Sequence, residues 1–435
     1  MASFFSNPPG KRAITRALRN PRMTSQHKLS STAAGQDLIK PTDRAVHGAS
    51  IPARQPLFPF VDLKAQFASI REEVMAAVTR VMESQQFILG HEVDAFEQEV
   101  ARQLGVQEVV SCASGTAALE IALQALRVHP GDEVITTPYT FVATAGAVAI
   151  HGARPVFVDI DPATFNIDVS AIEAAITEKT RAIIPVHLFG LPADMDPILK
   201  IAARHDLAVI EDAAQAIGSV YQGKSVGSMG TMGCFSFFPS KNLGGAGDGG
   251  MVTTNSAELA GRLRLIRAHG SGKKYHYEIL GANSRLDALQ AAILRVKLPR
   301  LPEWTRRRQD AAARYQKLFA GHDLEKELVL PSFPKDQPND RTHVSNQYVI
   351  RCPERDSLRE YLQGRGIPTE VYYPAPLHLQ PAFAYLGYRE GAFPQAEAAS
   401  RETLALPIYP ELKAEDQAAV VREIKTFYET HGERR

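Results

Sequence analysis

The sequence has little cysteine and no long apolar run, and these two absences exclude several classes of protein. Its 435 residues include three cysteines, Cys112, Cys234 and Cys352, which lack metal-ligand spacing and cannot all pair with one another. This usage is typical of a reducing compartment, so we expect no disulfide, no bound metal and a cytoplasmic protein. No apolar run approaches the roughly 20 residues needed to cross a bilayer, and we expect neither a membrane span nor a signal peptide.

The sequence also lacks an excess of charge of either sign. Lysine and arginine number 49 and aspartate and glutamate 48, which gives a formal net charge of +1. A near-neutral chain is not expected to have nucleic acid or an anionic membrane as its main partner. With 44% hydrophobic and 22% charged residues, the chain can bury a large core, and its length predicts two folded domains.

The first 55 residues differ in composition from the rest. They carry several basic residues between Lys11 and Lys28 but no acidic residue before Asp37, and they are rich in Ser, Pro, Ala and Thr. Such a segment cannot bury enough apolar surface to offset its ordering entropy, so we predict a disordered extension over residues 1–55. Two other interpretations remain open: a start placed too far upstream, with the true initiator at Met23, or an organelle transit peptide.

Beyond Phe60 the chain becomes periodic. Ile70, Val74, Val78 and Val81 recur at helical spacing and predict an amphipathic helix. Short β-branched runs then alternate with helical patterns, which predicts an α/β fold with a mostly parallel, seven-stranded sheet. The predicted strands cover residues 108–110, 133–136, 155–158, 182–186, 207–210, 235–238 and 251–254.

A second, smaller folded unit is predicted after the sheet region. A long helical pattern, broken by Pro299 and Pro302, leads out of that region. The remainder of the chain reads as a smaller α/β unit. We therefore predict a large domain over residues 56–310 and a small C-terminal domain over residues 311–435.

Lys241 stands in a pattern that points to pyridoxal phosphate chemistry. Residues 236–242 read Ser-Phe-Phe-Pro-Ser-Lys-Asn, five glycines follow by position 250, and the acidic pair Glu211-Asp212 precedes them. A lysine that forms a Schiff base has to be partly desolvated, because its ordinary pKa of about 10.4 leaves almost no neutral amine at pH 7. The hydroxyl of Ser236 and the glycine-rich stretch can grip a phosphate and let the backbone approach a bound ring closely.

Three further motifs are candidates for holding that cofactor. Residues 114–119, Ser-Gly-Thr-Ala-Ala-Leu, turn from a strand into a helix, where free N–H groups and the helix dipole favour a phosphate. Asp212 ends a buried strand and can keep a pyridine nitrogen protonated, and Gln215 lies within reach of the ring hydroxyl. Phe141, at the end of segment 136–141, offers an aromatic ring to stack on the cofactor.

Each motif also has a purely structural interpretation. Ser114 and Asp212 are good helix N-caps, and an aromatic residue after a strand usually belongs to the core. Residues 281–287, Gly-Ala-Asn-Ser-Arg-Leu-Asp, offer Asn283 and Arg285 to anionic groups, but they read equally as a surface loop. The combination of motifs carries the functional hypothesis.

Together, these motifs resemble the DegT/DnrJ/EryC1/StrS family of sugar aminotransferases. The resemblance runs from about Phe60 to the C-terminus and rests on segments 114–119, 211–215, 236–242 and 281–292, in that order. It implies the fold-type I aspartate aminotransferase architecture, with pyridoxal 5'-phosphate bound in the large domain. It also implies a homodimer with shared active sites, a nucleotide-linked keto sugar as substrate and an amino acid, often glutamate, as amino donor.

The resemblance implies roles for individual residues. Lys241 matches the lysine that binds the cofactor and shuttles the proton, and Asp212 matches the partner of the pyridinium nitrogen. Arg285 and Tyr373 match substrate-binding residues, and His187 fits the family pattern as a structural residue. The remaining implied cofactor contacts are Gly115, Thr116, Phe141, Gln215, Ser236 and, across the dimer interface, Asn283.

The family branch that acts on 3-oxo sugars, including the UDP-linked 2-acetamido-3-oxo-glucuronate aminotransferases, is the most similar. The match lies in Lys-Asn-Leu-Gly at 241–244, Gly-Asp-Gly-Gly at 247–250 and Asn-Ser-Arg-Leu-Asp at 283–287. The 4-oxo branch usually has Gly-Glu-Gly-Gly and Asn-x-Arg-Met there, so the resemblance predicts amination at carbon 3. Tyr372 stands where the 3-oxo branch often has histidine, which leaves the substituents of the sugar and its pathway open.

Three alternatives remain at this stage. A 4-oxo-sugar aminotransferase is the nearest one. Relatives of the family act as dehydratases on keto sugars, but they replace the lysine with histidine, and Lys241 argues against that activity. A non-catalytic pyridoxal phosphate-binding regulator, with its basic tail touching DNA, is disfavoured by the near-neutral charge and the lack of a helix-turn-helix pattern.

Overall fold

A computed structural model describes residues 55–322, 324, 327–333 and 341–432. The extension predicted over residues 1–55 lies outside the described residues except for Gln55. The helices are α1 (Leu63–Ser84), α2 (His91–Leu104), α3 (Gly115–Ala125), α4 (Ala143–Ile150), α5 (Val169–Ile172), α6 (Met195–Arg204), α7 (Ala257–Arg267), α8 (Ala288–Lys297), α9 (Leu301–Ala320), α10 (Arg355–Gly364), α11 (Pro394–Glu402) and α12 (Ala414–Gly432). The strands are β1 (Glu108–Cys112), β2 (Glu133–Thr136), β3 (Arg154–Phe157), β4 (Thr180–Ile183), β5 (Ala208–Asp212), β6 (Val220–Tyr221), β7 (Lys224–Ser225), β8 (Met232–Ser236), β9 (Gly250–Thr254), β10 (Ser271–Lys273), β11 (His276–Tyr277), β12 (Tyr348–Arg351) and β13 (Thr403–Leu406).

Seven strands form one sheet in the order β1-β9-β8-β5-β4-β2-β3. The neighbours from β8 to β3 pair in parallel, whereas β9 runs antiparallel to both β8 and β1. Parallel neighbours need crossover connections, which α4 supplies between β2 and β3 and α6 between β4 and β5. The predicted α/β fold with a mostly parallel, seven-stranded sheet is confirmed.

Helices cover both faces of this sheet because successive strand residues point in opposite directions. Val110 of β1 packs in a core layer with α3 and α7, whereas its neighbour Val109 packs with α2 and α8 on the other face. Both side chains are buried. A strand buried on both faces reads as a continuous apolar run, which makes these strands visible in the sequence.

The helical pattern after the sheet breaks at its prolines, as predicted. A 3₁₀ turn over Leu298–Arg300 follows α8, and α9 then begins at Leu301. Pro299 and Pro302 are the second residues of these two segments, within the first turn, where the N–H that proline lacks has no acceptor inside the helix. The predicted domain boundary falls inside α9, and the division into two domains stays a prediction.

The C-terminal part of the chain builds a further core around a two-stranded sheet. β12 and β13 pair antiparallel, with Tyr348 opposite Leu406, and side chains of α9, α10 and α12 pack against them. β12 lies within the segment predicted to form the smaller α/β unit. Its partner β13 has no turn signal linking it to β12 and is not among the predicted strands.

Two strands end earlier than predicted, at points where the chain leaves the sheet. The strand predicted over 182–186 ends at Ile183, and the strand predicted over 235–238 ends at Ser236. Phe237 and Phe238 are apolar enough to extend the pattern, but they belong to the turn that carries Lys241. The short hairpins β6–β7 and β10–β11 lack apolar runs and are also absent from the prediction.

The structure adds three observations on cysteines, metals and membranes. Cys112, Cys234 and Cys352 are free and buried. The described residues contain no group of three His, Cys, Asp or Glu side chains that could hold a metal ion. Among the described helices, none is both long and apolar enough to span a bilayer.

Candidate active site

A cavity of about 440 Å³ lies at the carboxyl ends of the parallel strands. Asp212 and Ser236, which line it, are the last residues of β5 and β8. Ser114 and Thr140, which also line it, follow β1 and β2. Because parallel strands end at the same edge of a sheet, motifs that are far apart in the sequence meet here.

Helix α3 presents its N-terminus to this cavity. Its N-cap Ser114 accepts a hydrogen bond from the Ala117 N–H through Oγ at 3.0 Å, and its carbonyl accepts one from the Ala118 N–H at 2.9 Å. The N–H groups of Gly115 and Thr116 have no acceptor within the part of the chain that the structure describes. Free N–H groups and the helix dipole at such an N-terminus favour a phosphate.

Two glycines allow the backbone to close around this end of the cavity. A Cβ atom at Gly115 would lie 2.6 Å from the Cβ of Ser236, and one at Gly250 would lie 2.3 Å from the carbonyl oxygen of Ser114. Carbon atoms do not approach their neighbours so closely, so both positions require glycine. The close packing places the Ser236 hydroxyl beside the N-terminus of α3, and together they form a donor set for a phosphate.

Side chains of α8 hold the glycine-rich loop that follows Lys241. Gln290 accepts a hydrogen bond from the Ala246 N–H through Oε1 at 2.8 Å. Lys297 donates from Nζ to the carbonyl of Gly244 at 2.7 Å. The loop is thus fixed at two points, and Lys241 is held in a defined place after β8.

Burial changes the acidity of Lys241. It lowers the pKa of the amine to about 8, and the nearby Asp212 carboxylate offsets part of that shift. About a tenth of such an amine is neutral at pH 7, against well under a thousandth for an ordinary lysine. Lys241 therefore has the nucleophilic form available that covalent capture of an aldehyde requires.

The Asp212 carboxylate is buried and lines the same cavity. Thr144 donates its hydroxyl to Oδ2 at 2.8 Å, and the Ala214 N–H donates to Oδ1 at 3.2 Å. Burial raises the pKa of Asp212 above its usual value, while these hydrogen bonds and Lys241 act in the opposite direction. A further cation in the cavity, such as a protonated ring nitrogen, favours the ionised carboxylate.

Aromatic and amide groups form another part of the cavity lining. The rings of Phe141 and Tyr373 have centroids 6.4 Å apart, and Phe141 is 55% exposed, so one of its faces is open to a ligand. Gln215 accepts from the Phe189 N–H through Oε1 at 2.7 Å, which turns its Nε2 toward the Tyr373 hydroxyl at 3.0 Å. The second hydrogen of this amide nitrogen is left for a ligand.

Eight of the ten predicted site residues line the cavity, and two do not. Asn283 is exposed and forms an isolated bridge with Ala268. Arg285 is half-buried, and its Nε has no hydrogen-bond partner among the described groups. The eight that line the cavity are Gly115, Thr116, Phe141, Asp212, Gln215, Ser236, Lys241 and Tyr373.

The structure also adds residues that the sequence analysis missed. Thr144 is buried beside Asp212, and the one signal for it in the sequence is that it is a polar residue in the apolar segment that forms α4. Ser240 and Gln347 line the cavity as well. Gln347 arrives from a distant segment next to β12, and nothing in its local sequence marks it.

The arrangement fits pyridoxal phosphate. The N-terminus of α3 with Ser236 suits the phosphate, the amine of Lys241 suits the aldehyde, and the Asp212 carboxylate suits the pyridine nitrogen. All three lie in one cavity that is large enough for a cofactor and part of a substrate. This fold and this site define a pyridoxal phosphate-dependent enzyme of the aminotransferase class.

The chain belongs to the DegT/DnrJ/EryC1/StrS aminotransferase family, whose model matches residues 68–425. A pleiotropic regulatory protein of Geobacillus stearothermophilus is 54% identical to it over 85% of this chain and 98% of its own. A UDP-N-acetyl-3-dehydro-α-D-glucosamine 3-aminotransferase of Acidithiobacillus ferrooxidans is 48% identical over 84% of this chain and 97% of its own. The crystal structure of Streptomyces venezuelae DesV in complex with a ketimine intermediate is similar with a TM-score of 0.82 and 43% identity, covering 86% of this chain and 99% of that chain. The predictions of family, fold and cofactor are confirmed.

Proposed function

We propose that this aminotransferase moves an amino group from an amino acid, in first place glutamate, to carbon 3 of a nucleotide-linked keto sugar. One observation carries the proposal: Lys241, with its lowered pKa, and the buried Asp212 line the same cavity. The similarity at 48% identity to a 3-aminotransferase for UDP-N-acetyl-3-dehydro-glucosamine supports carbon 3 as the site of amination.

The cavity residues that match the family pattern divide the binding of the cofactor among them in this proposal. When bound, pyridoxal phosphate supplies an aromatic ring that withdraws electrons from the reacting carbon. The N–H groups of Gly115 and Thr116 and the hydroxyl of Ser236 bind the phosphate, and Asp212 stabilises a proton on the ring nitrogen. Phe141 covers one face of the cofactor ring, and Gln215 donates a hydrogen bond to the cofactor from Nε2.

Lys241 does the chemical work of proton transfer. With the cofactor bound, its Nζ would accept the proton from the reacting carbon of the amino donor and would hold it for the return transfer, which is the task of a general base and acid. A pKa of about 8 lets the same amine act in both directions near neutral pH.

The proposal includes two residues that contact the substrate and a cytoplasmic location for the enzyme. Tyr373 is assigned to the sugar because it lines the cavity, with its hydroxyl 3.0 Å from Nε2 of Gln215. Arg285 provides a fixed cation for an anionic group of the substrate. The buried, free cysteines suit a cytoplasmic enzyme.

The test is a pair of half-reactions followed separately. Glutamate added to the pyridoxal phosphate form is expected to replace its absorbance band with that of the pyridoxamine form. That form is then mixed with UDP-2-acetamido-3-oxo-glucose or, as the matched control, with the 4-oxo isomer, and the product is analysed by mass spectrometry and NMR. Preferential amination of the 4-oxo isomer would contradict the carbon 3 assignment, and indifference to every amino acid would favour a non-catalytic regulator.

The lowered pKa of Lys241 predicts how cofactor capture depends on pH. Because only the neutral amine attacks the aldehyde, the rate at which the cofactor-free protein captures pyridoxal phosphate is expected to rise about tenfold per pH unit below pH 8 and to level off above it. The growth of the lysine-bound absorbance band in a stopped-flow instrument measures this rate. A rate that keeps rising to pH 10 would mean that the amine is as basic as an ordinary lysine.

We extend the proposal to a homodimer in which each chain completes the site of the other. Asn283 and Arg285 lie outside the cavity of their own chain. Phe141 and Phe238 line that cavity yet are 55% and 52% exposed, so apolar surface surrounds its mouth. Exposed apolar surface of this kind is typical of an interaction site, and a second copy placed there supplies the missing amide and guanidinium.

Mixing two inactive variants tests the shared site. Lys241→Ala and Arg285→Ala are each expected to lose activity, but a mixed dimer contains one site with both native side chains. Random reassociation gives half mixed dimers, each with one of two sites intact, so about a quarter of the native activity is expected to return. If Arg285 serves its own chain, no mixture regains activity.

A further inference from the structure

Glu211, next to the catalytic Asp212, is a buried carboxylate that faces away from the cavity. Its side chain is fully buried, as is that of His187, whose Nε2 lies 3.0 Å from Glu211 Oε2. No lysine or arginine of the described residues lies within ion-pair distance of Glu211. A buried carboxylate without a lysine or arginine partner is costly unless hydrogen bonds compensate for its lost hydration.

Backbone groups fill both oxygens of Glu211. Oε1 accepts the N–H groups of Met229 at 2.8 Å and Gly230 at 2.6 Å, and Oε2 accepts the N–H of Gly227 at 2.7 Å. The loop can wrap so closely because Gly227 has φ +79° and because a Cβ at Gly230 would lie 2.7 Å from the Val209 carbonyl. This loop, residues 227–230, leads directly into β8, which ends at Ser236 ahead of Lys241.

His187 completes the carboxylate shell as a neutral donor. Its Nδ1 accepts the Ala193 N–H at 3.0 Å, so the ring hydrogen is on Nε2 and points at Glu211. The main chain of His187 is bound to the next residue of β5, since its N–H donates to the Asp212 carbonyl at 3.0 Å. The Asp212 N–H in turn donates to the Pro185 carbonyl at 2.9 Å.

We infer that Glu211 and His187 are positioning residues that set the place of the Asp212 carboxylate relative to the strand that leads to Lys241. Glu211 ties the end of β5 to the beginning of β8, and His187 ties it to the segment after β4. All three segments meet at Glu211, next to the cavity residue Asp212. This inference rests on the proposed role of Asp212 as the partner of the ring nitrogen.

Glu211→Gln is the variant that tests this role. An amide puts N–H hydrogens where backbone N–H groups already point, so the shell of Glu211 cannot re-form. In pyridoxal phosphate-loaded protein, we expect the first half-reaction with glutamate to slow on the order of tenfold, which is typical for the loss of a side chain that orients a functional one. The pH at which the lysine-bound absorbance band titrates is expected to move in the same direction as in Asp212→Asn.

The chain offers a matched control for loss of stability alone. Glu397 is also a buried carboxylate that accepts backbone N–H groups, from Gly391 and Phe393, and the Nε2 of a buried histidine, His378. It does not line the cavity. Glu397→Gln is expected to lower Tm as Glu211→Gln does but to leave the titration of the band and the half-reaction at native values.

A double variant separates positioning from general damage. If Glu211 acts only through Asp212, then Glu211→Gln adds no further loss to Asp212→Asn, and the two effects are strongly non-additive. The inference would be overturned if the double variant lost rate by the product of the two single losses. It would also be overturned if the Glu211→Gln protein had a lower Tm but a native absorbance band and a native rate. Should Glu211→Gln fail to fold, His187→Ala, which removes the donor to Glu211 Oε2, is measured in the same way, and a native band and rate there would overturn it too.

The same experiment distinguishes failure of this inference from failure of the proposed function. Native protein without a lysine-bound band, or Asp212→Asn with a native rate, contradicts the proposed function and the inference with it. If the native protein shows the lysine-bound band, Asp212→Asn slows the half-reaction and Glu211→Gln has a native rate, only the positioning role is contradicted.

Discussion

Replacement of Lys241 by alanine is expected to abolish amino transfer and to leave the fold intact. The side chain lines the cavity, takes no part in a hydrogen bond that holds an element of the fold, and lies in a loop anchored independently by Gln290 and Lys297. Its loss removes both the attachment of the cofactor and the proton carrier, so the turnover rate is expected to fall by at least about a thousandfold. Turnover with glutamate and a 3-oxo sugar measures the loss, and circular dichroism checks the fold.

A second buried lysine makes this test specific. Burial lowers the pKa of Lys297 to about 8, the same value as for Lys241, but Lys297 Nζ donates to the Gly244 carbonyl and does not line the cavity. Acidity alone therefore does not distinguish the two amines, whereas position does. Borohydride reduction of the pyridoxal phosphate-loaded protein, followed by peptide mass spectrometry, is expected to find the cofactor on Lys241 alone. An adduct on Lys297, or a Lys241→Ala protein with native turnover, would contradict the assignment.

Much of the site could be predicted because its residues lie in short motifs at strand ends. Asp212 ends an apolar run, Gly115 begins a helix, and Lys241 stands between a strand and a glycine-rich loop, so each motif carries its own structural context. The parallel sheet then brings these ends together, and the fold follows from the alternation of strand and helix patterns. The types of these residues and their order along the chain are enough to predict the sheet and the cofactor-binding motifs at its edge.

The rest depends on contacts between segments that no local pattern connects. Thr144 reaches Asp212 from the helix after β2, and Gln347 reaches the cavity from the C-terminal part of the chain. The shell around Glu211 requires knowledge of where loop 227–230 passes, which hydrophobic periodicity does not provide. Strand ends were predicted least accurately for the same reason, since Phe237 and Phe238 continue an apolar pattern after the backbone has turned toward Lys241.

Replacement of Asp212 by asparagine is the second change with a large expected effect. Asparagine keeps the shape of the side chain, and its Oδ1 can still accept the Ala214 N–H. Its amide can donate to Thr144, because a hydroxyl that now donates to Oδ2 can rotate and accept instead. The fold is therefore expected to persist, while the negative charge that stabilises a proton on the ring nitrogen is lost.

That loss is expected to slow the first half-reaction by about a hundredfold to a thousandfold, the range seen when one electrostatic contact to the reacting group is removed.

Thr144→Val is a milder change at the same carboxylate, and a smaller loss of rate is expected from it. It removes the hydrogen bond that lowers the pKa of Asp212 but keeps the carboxylate, so burial raises that pKa further and the rate is expected to fall only about tenfold. Single-turnover decay of the lysine-bound absorbance band with glutamate gives both rates. An Asp212→Asn rate within a few-fold of native would show that the ring nitrogen needs no anionic partner, whereas a Thr144→Val rate as low as that of Asp212→Asn would show that the hydroxyl does more than support the carboxylate.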